Sequence, residues 1–171
     1  MNAQTRRETI MEVLRRETQP ISASTLAKRF NVSRQIIVGD VALLRAGGMD
    51  IAATPRGYVL PAPAAGLVRT LACRHRADQM EEELNAMVDQ GCTVLDVIVE
   101  HPIYGQLTGP LQLASRYDVG QFIARCRQVE ALPLSQLTEG IHLHTVACPS
   151  QEAYDRVRES LSKLGFLLEE K

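Results

Sequence analysis

The sequence predicts an α+β protein in two parts, a small three-helix module carrying a β-wing and then a two-layer sandwich of helices on a sheet. Three observations carry that expectation. Apolar residues recur at helical spacing three times within the first 60 residues, before a short alternating stretch. A segment with two prolines, a glycine and no charge, Pro61-Ala-Pro-Ala-Ala-Gly66, then breaks the pattern. Beyond it, strand-like runs alternate with helical ones. The expected division is a domain at 1–60, a linker at 61–66 and a second domain at 67–171.

In the first part, a helix is expected from about Gln4 to Thr18, with Ile10, Val13 and Leu14 on one face. Ser22 can cap a short second helix containing Leu26, Ala27 and Phe30. Asn31 tolerates the left-handed backbone that a tight helix–helix turn demands. Ser33 caps a third helix, in which Ile37, Val41 and Leu44 recur at i, i+4, i+7 and Gly47-Gly48 marks the end. Met49 to Leu60 reads as two short strands joined through Pro55-Arg56-Gly57, a wing.

In the second part, Leu67–Cys73 is apolar enough for a strand. Ala77–Gln90 carries Met80, Leu84, Met87 and Val88 at helical spacing. Thr93–Glu100 is densely apolar and reads as a buried strand, and Gly105–Leu113 can pair with it after the His101-Pro102 turn. A helix at Asp118–Val129 with Val119, Phe122, Ile123 and Cys126 inward, a strand at Ile141–Cys148, a helix at Gln151–Leu164 and a last strand at Phe166–Leu168 complete the set. The expected arrangement is helices on one face of a mixed sheet.

Composition narrows the function. No run approaches the roughly 18 apolar residues that a membrane span needs. The start MNAQTRRETI has no apolar core of a secretory signal, so a cytoplasmic setting with reduced thiols is expected for Cys73, Cys92, Cys126 and Cys148. The net charge of −1 hides a split: residues 1–60 carry nine Lys/Arg against five Asp/Glu, and residues 61–171 ten against fifteen. The basic part suits a polyanion.

Helix–turn–helix–wing order is a physical solution to reading double-stranded DNA, because the third helix presents its first turn to the major groove. With Ile37, Val41 and Leu44 turned inward, Arg34, Gln35 and Ile36 are left on that turn, with Gly39 and Asp40 further along. Arginine can grip guanine, glutamine adenine, and isoleucine can pack on a thymine methyl. Lys28, Arg29, Ser33 and Arg45 are placed to hold phosphates, and Arg56 at the wing tip to reach a flanking phosphate or the minor groove. Against this stands a helical hairpin that mediates only protein contacts.

All four histidines lie in the acidic part. His142 and His144, two apart on an expected strand, project from one face. His75 ends the first strand, and Glu83 lies about two helical turns into the following helix. Three imidazoles and a carboxylate suit a borderline divalent metal such as zinc, nickel, cobalt or iron, with coordination positions left for a small molecule. Against this, an H-x-H pair is often merely exposed or hydrogen-bonded, and Glu81-Glu82-Glu83 reads equally as a solvated helix face. Cys73 and Cys148 share the histidines' strand parity, as outer ligands or more simply as buried core thiols. His101-Pro102-Ile103-Tyr104-Gly105 fixes a turn that would offer an imidazole and a phenol to a pocket, or merely pack a tyrosine.

The first part is similar to the winged helix–turn–helix of biotin-repressor-type regulators. The second resembles the three-histidine (3H) domain of nicotinate-responsive repressors of NAD biosynthesis and niacin uptake. The strings that carry the likeness are His75 with Glu83 eight residues on, Asp96-Val-Ile-Val-Glu-His-Pro-Ile-Tyr-Gly105, Ser115-Arg-Tyr-Asp-Val119 and Pro133-Leu-Ser-Gln-Leu-Thr-Glu-Gly-Ile-His-Leu-His-Thr145. The resemblance implies an HPr-like fold for the second domain. It implies a homodimer that binds operator DNA with nicotinate, or a related pyridine carboxylate, as co-repressor. It also implies a divalent metal on the residues matching His75, Glu83, His142 and His144, and a pocket lined by His101 and Tyr104. The implied protein is not an enzyme. A metal-sensing regulator is the main alternative reading, and a metal-dependent hydrolase a more distant one.

Overall fold

The computed structural model describes residues 1–130 and 132–169. The chain forms two compact units, Met1–Pro63 and Ala64–Lys171. The boundary falls inside the uncharged proline-glycine stretch. Gly66 already belongs to the second unit: its φ is +94°, and a Cβ there would sit 2.3 Å from the Cys148 carbonyl oxygen.

In the first unit, helix α1 spans Ala3–Arg16, α2 Ala23–Phe30 and α3 Arg34–Ala46. Each starts on a polar cap whose side chain accepts a backbone N–H: Asn2 from Thr5, Ser22 from Thr25 and Ser33 from Ile36. Asn31 ends α2 in the left-handed region at φ 52°, ψ 48°, which turns the chain sharply into α3. Ile10, Leu14, Leu26 and Ile37 lie at the centre of the core, with Val41 and Ile51 against them, and Leu44 packs at its edge. Strands β1 (Ala52–Thr54) and β2 (Gly57–Val59) form the wing. Tyr58 exchanges two backbone hydrogen bonds of 2.9 Å with Ile21, so the wing is stitched to the loop before α2. Gly57 permits this approach, because a Cβ there would meet the Ile21 carbonyl at 2.3 Å.

The second unit stacks helices on a four-stranded sheet. Strands β3 (Leu67–Arg74), β4 (Thr93–His101), β5 (Gly105–Leu113) and β6 (Ile141–Cys148) run in the order β3-β6-β4-β5. Among the described residues every pairing in this sheet is antiparallel, so the expectation of a mixed sheet is corrected. The reason is the last strand: β6 inserts between β3 and β4, which are parallel to each other but never touch as a ladder. Helices α4 (Met80–Val88), α5 (Arg116–Gln128) and α6 (Gln151–Lys163) cover one face, and their inward residues Leu84, Met87, Val119, Ile123, Val157 and Leu161 close on Leu71, Val94, Leu113 and Val146. Cys126, expected inward, is only half-buried. The expected strand at Phe166–Leu168 is a single bridge from Leu167 to Cys73, because the chain leaving α6 touches the β3 edge only briefly. Among the described residues no helix is long and apolar enough to cross a membrane.

Candidate metal centre and nucleic-acid interface

Strand parity builds the centre. On β6, His142, His144, Val146 and Cys148 all face the helix layer. In the β3–β6 register Cys73 stands opposite His142, and His75 follows two residues after Cys73. A 3₁₀ turn at Ala77–Gln79 leads into α4, whose acidic first turn then divides: Glu81 and Glu82 face solvent while Glu83 turns inward and is 1% exposed. The charge run is thus two solvated carboxylates and one buried one.

Glu83 is the focus. Its Oε2 lies 2.6 Å from His75 Nε2 and 3.2 Å from His144 Nε2, and its Oε1 lies 2.8 Å from His142 Nε2. The other nitrogen of every ring faces a backbone carbonyl: His75 Nδ1 donates to Arg76 O at 2.7 Å, His142 Nδ1 to Gly140 O at 2.8 Å and His144 Nδ1 to Asp96 O at 2.7 Å. A carbonyl only accepts, so all three Nδ1 atoms carry protons and all three Nε2 atoms are directed at the one Glu83 carboxylate. Such carbonyl partners fix the tautomer and orientation of metal-binding imidazoles. The rings pack edge to face, with His142 centred 4.7 Å from His75 and 4.8 Å from His144, and Phe166 closes on His75 at 5.5 Å.

Without a cation this arrangement costs something in either protonation state. Three neutral rings would direct lone pairs at a carboxylate, and three protonated rings would crowd buried positive charge around it. Burial pulls the imidazoliums of His75 and His144 down, but the hydrogen bonds and charge of Glu83 outweigh it and both end raised. Burial likewise pushes the Glu83 carboxyl up, yet the charge of His144 and the three imidazole contacts hold it well below the usual carboxylate range. A divalent cation held by His75, Glu83, His142 and His144 would answer all four groups at once, so the donor set fits a borderline transition metal.

Two supporting features, Asp96 and Gly140, were not assigned roles from sequence. Asp96 sits at a bulge in β4, where the pairing register shifts; its carbonyl holds His144 and its Oδ1 accepts the Thr145 N–H at 2.9 Å. Gly140 has φ +88°, and a Cβ there would sit 2.4 Å from the His75 carbonyl oxygen, so only glycine lets the loop before β6 pass. Cys73 is fully buried beside Glu83, and burial together with the Glu83 charge pushes its thiol up. Cys148, at the far end of the strand, pairs instead with Leu67 and neighbours Cys92.

His101 and Tyr104 lie at the tip of the β4–β5 hairpin. His101 Nδ1 accepts the amide N–H groups of Ile103 and Tyr104 at 3.1 and 3.2 Å, and the two rings lie 4.9 Å apart. The Tyr104 side is open, with the residue 73% exposed.

In the first unit, Arg34, Gln35 and Ile36 are exposed on the first turn of α3, and Lys28 and Arg45 are exposed as well. The Ser33 hydroxyl caps α3 at 3.2 Å from Ile36 N. Arg56 is half-buried and its Nη1 donates to Gln19 Oε1 at 3.3 Å, so the side chain lies along the protein rather than projecting from the wing. Asp40, expected on the exposed face, is buried: Arg6 Nε donates to Oδ2 at 2.6 Å and Arg7 Nη1 to Oδ1 at 3.4 Å. The pairing removes a negative charge from a face that would meet phosphates and ties α1 to α3.

Two family models match the chain. Residues 6–59 match the HTH domain model and residues 68–170 the 3H domain model. The chain is 41% identical to the probable transcription repressor NiaR of Thermotoga maritima over 98% of its own length and 95% of the relative's. It is also 41% identical to the transcription repressor NadR of Bacillus subtilis, over 96% of this chain and 94% of that one. These relatives are named as repressors and not as enzymes. Matched to the helix–turn–helix and 3H models and aligned over nearly its whole length with two transcription repressors, the chain belongs to the 3H-domain family of DNA-binding transcription repressors.

Proposed function

We propose that this repressor is a cytoplasmic homodimer that binds operator DNA upstream of genes for NAD biosynthesis and niacin uptake. Residues 1–60 read the DNA, 61–66 connect, and 67–171 sense nicotinate or a related pyridine carboxylate at a divalent-metal centre. His75, Glu83, His142 and His144 hold the metal, and His101 and Tyr104 line the ligand side. Arg34, Gln35 and Ile36 meet base edges, Lys28, Ser33 and Arg45 contact the DNA backbone, and Arg56 reaches a flanking phosphate or the minor groove only once it leaves Gln19. The observation that carries the reading is the focusing of three imidazole Nε2 atoms on Glu83, each ring fixed from behind by a carbonyl.

When bound, the metal supplies a Lewis acid able to take a carboxylate or a pyridine nitrogen. The protein's part is to orient the rings, neutralise charge with Glu83 and exclude water from the buried side. For ligand binding to act on DNA, nicotinate must favour the arrangement of the dimer in which the two α3 helices match half-sites one helical repeat apart. Fluorescence anisotropy with a labelled operator duplex, with nicotinate, nicotinamide or a chelator added, tests this. Nicotinate is expected to tighten binding by the metal-loaded protein, and the chelator to remove that response. Metal-loaded protein that shows no heat of nicotinate binding in isothermal titration would overturn the co-repressor assignment. Operator affinity that follows metal concentration with no organic ligand would make the metal itself the signal.

A further inference from the structure

We propose that the Cys73 thiolate is a fifth protein ligand of this centre, joining His75, Glu83, His142 and His144 on the same cation. The inference rests on the metal reading above and adds to it a sulfur donor.

The geometry comes first. Cys73 Sγ, a Glu83 carboxylate oxygen and a ring nitrogen of His142 all lie within 4.8 Å of one another, so a modest inward movement of the side chains brings the three donors to metal bond lengths of about 2.0–2.3 Å. The β3–β6 register fixes this, because Cys73 is the cross-strand partner of His142 and both face the helix layer. Charge comes second. The cluster is sealed, with Cys73 at 0%, Glu83 at 1% and His142 and His144 at 3% exposure. A dication held by Glu83 and three neutral imidazoles would leave one uncompensated positive charge in that buried space whenever no anionic ligand is bound, and a thiolate would cancel it. As the S–metal bond forms, the thiol releases its proton to solvent and no oxidation state changes. A sulfur donor among imidazoles selects zinc, cobalt or nickel over magnesium, calcium and manganese. The competing role is a packing thiol that merely donates S–H to Glu83.

Cobalt(II) titration of the full chain, stripped of metal and kept anaerobic, separates these roles. Wild-type protein is expected to show visible d–d bands together with a near-ultraviolet sulfur-to-cobalt charge-transfer band. Cys73→Ser is expected to keep d–d absorption and lose the charge-transfer band, whereas Cys148→Ser keeps both. Should Cys73→Ser fold poorly, X-ray absorption at the metal edge of the wild-type protein reads the same question, through a sulfur scatterer at about 2.3 Å. Cobalt d–d bands with no charge-transfer band, or a band that survives Cys73→Ser, overturn the sulfur ligand and leave the metal centre standing. Absence of any d–d absorption removes the metal centre and this ligand with it.

Discussion

Glu83 concentrates the chemistry of the second unit in one side chain. Its two oxygens meet three imidazoles, and its burial leaves no water to substitute for them. Glu83→Gln keeps the shape but removes the negative charge. Metal affinity, read by competition with a chelating dye, is expected to fall by more than the roughly 10–100-fold that losing an outer hydrogen-bond partner costs. Retained affinity would move the metal elsewhere. Gly140 is the less conspicuous counterpart. It has no side chain to offer, yet its carbonyl orients His142 and its missing Cβ makes room for the His75 carbonyl. Gly140→Ala combines a left-handed backbone with a 2.4 Å clash and is expected to destabilise the second unit by roughly 1–3 kcal/mol or more. Its chelator-competition curve should shift in the same direction as that of Glu83→Gln, because His75 and His142 both move.

At the scale of elements, α3 shows what periodicity can and cannot deliver. The inward stripe Ile37, Val41 and Leu44 and the Ser33 cap were legible, since spacing alone turns a helix. The inward turn of Asp40 was not, because it depends on Arg6 and Arg7, thirty-odd residues away on α1. The same holds in the sheet. Alternation located β3, β4, β5 and β6 and put His142 and His144 on one face, the strand end and the following helix offered His75 and Glu83 as partners, and the 3H resemblance implied the same four residues. Strand order did not follow from the sequence, because inserting β6 between β3 and β4 is a long-range pairing, and so neither the antiparallel sheet nor the role of the β4 bulge at Asp96 could be read in advance. Two substitutions on α3 follow from its surface. Nothing lies within 4 Å of a Cβ built on Gly39, and its φ is not in the left-handed region. Gly39→Ala is therefore expected to raise the stability of the first unit by roughly 0.5–1 kcal/mol in urea unfolding. Any loss of operator affinity in that variant then reports contact with DNA rather than damage to the protein. Arg34→Ala, from an exposed position, is expected to leave stability unchanged and weaken operator binding by about 1–3 kcal/mol, mostly at one base position. Equal weakening on all sequences would reassign Arg34 to phosphate.

For the whole molecule, a metal held at this centre would make stability depend on pH with opposite slopes in the two metal states. In metal-free protein, His75 and His144 have folded pKa values raised above the 6.5 of an unperturbed imidazole. Their stabilisation is fully present below that value and is lost as pH rises through the folded values. Glu83 has a folded pKa well below the unperturbed 4.5, so its contribution is present above that value and is lost as pH falls through the folded one. Chelator-treated protein should therefore be most stable between those two unperturbed values and lose stability toward alkaline pH. Metal binding would reverse the preference, since a cation needs the Nε2 lone pairs that protons otherwise occupy. The unfolding temperature of metal-loaded protein minus that of chelated protein should widen as pH is raised from about 5.5 to about 8, a range centred near the ordinary imidazole value. Because the two units have separate cores, the widening belongs to the calorimetric transition of Ala64–Lys171, and the winged unit should unfold at the same temperature with or without metal. A difference that stays constant across that pH range would mean that the cation does not compete with protons for these rings, and the three histidines would then be an ion-paired buried cluster with Glu83 rather than a metal centre.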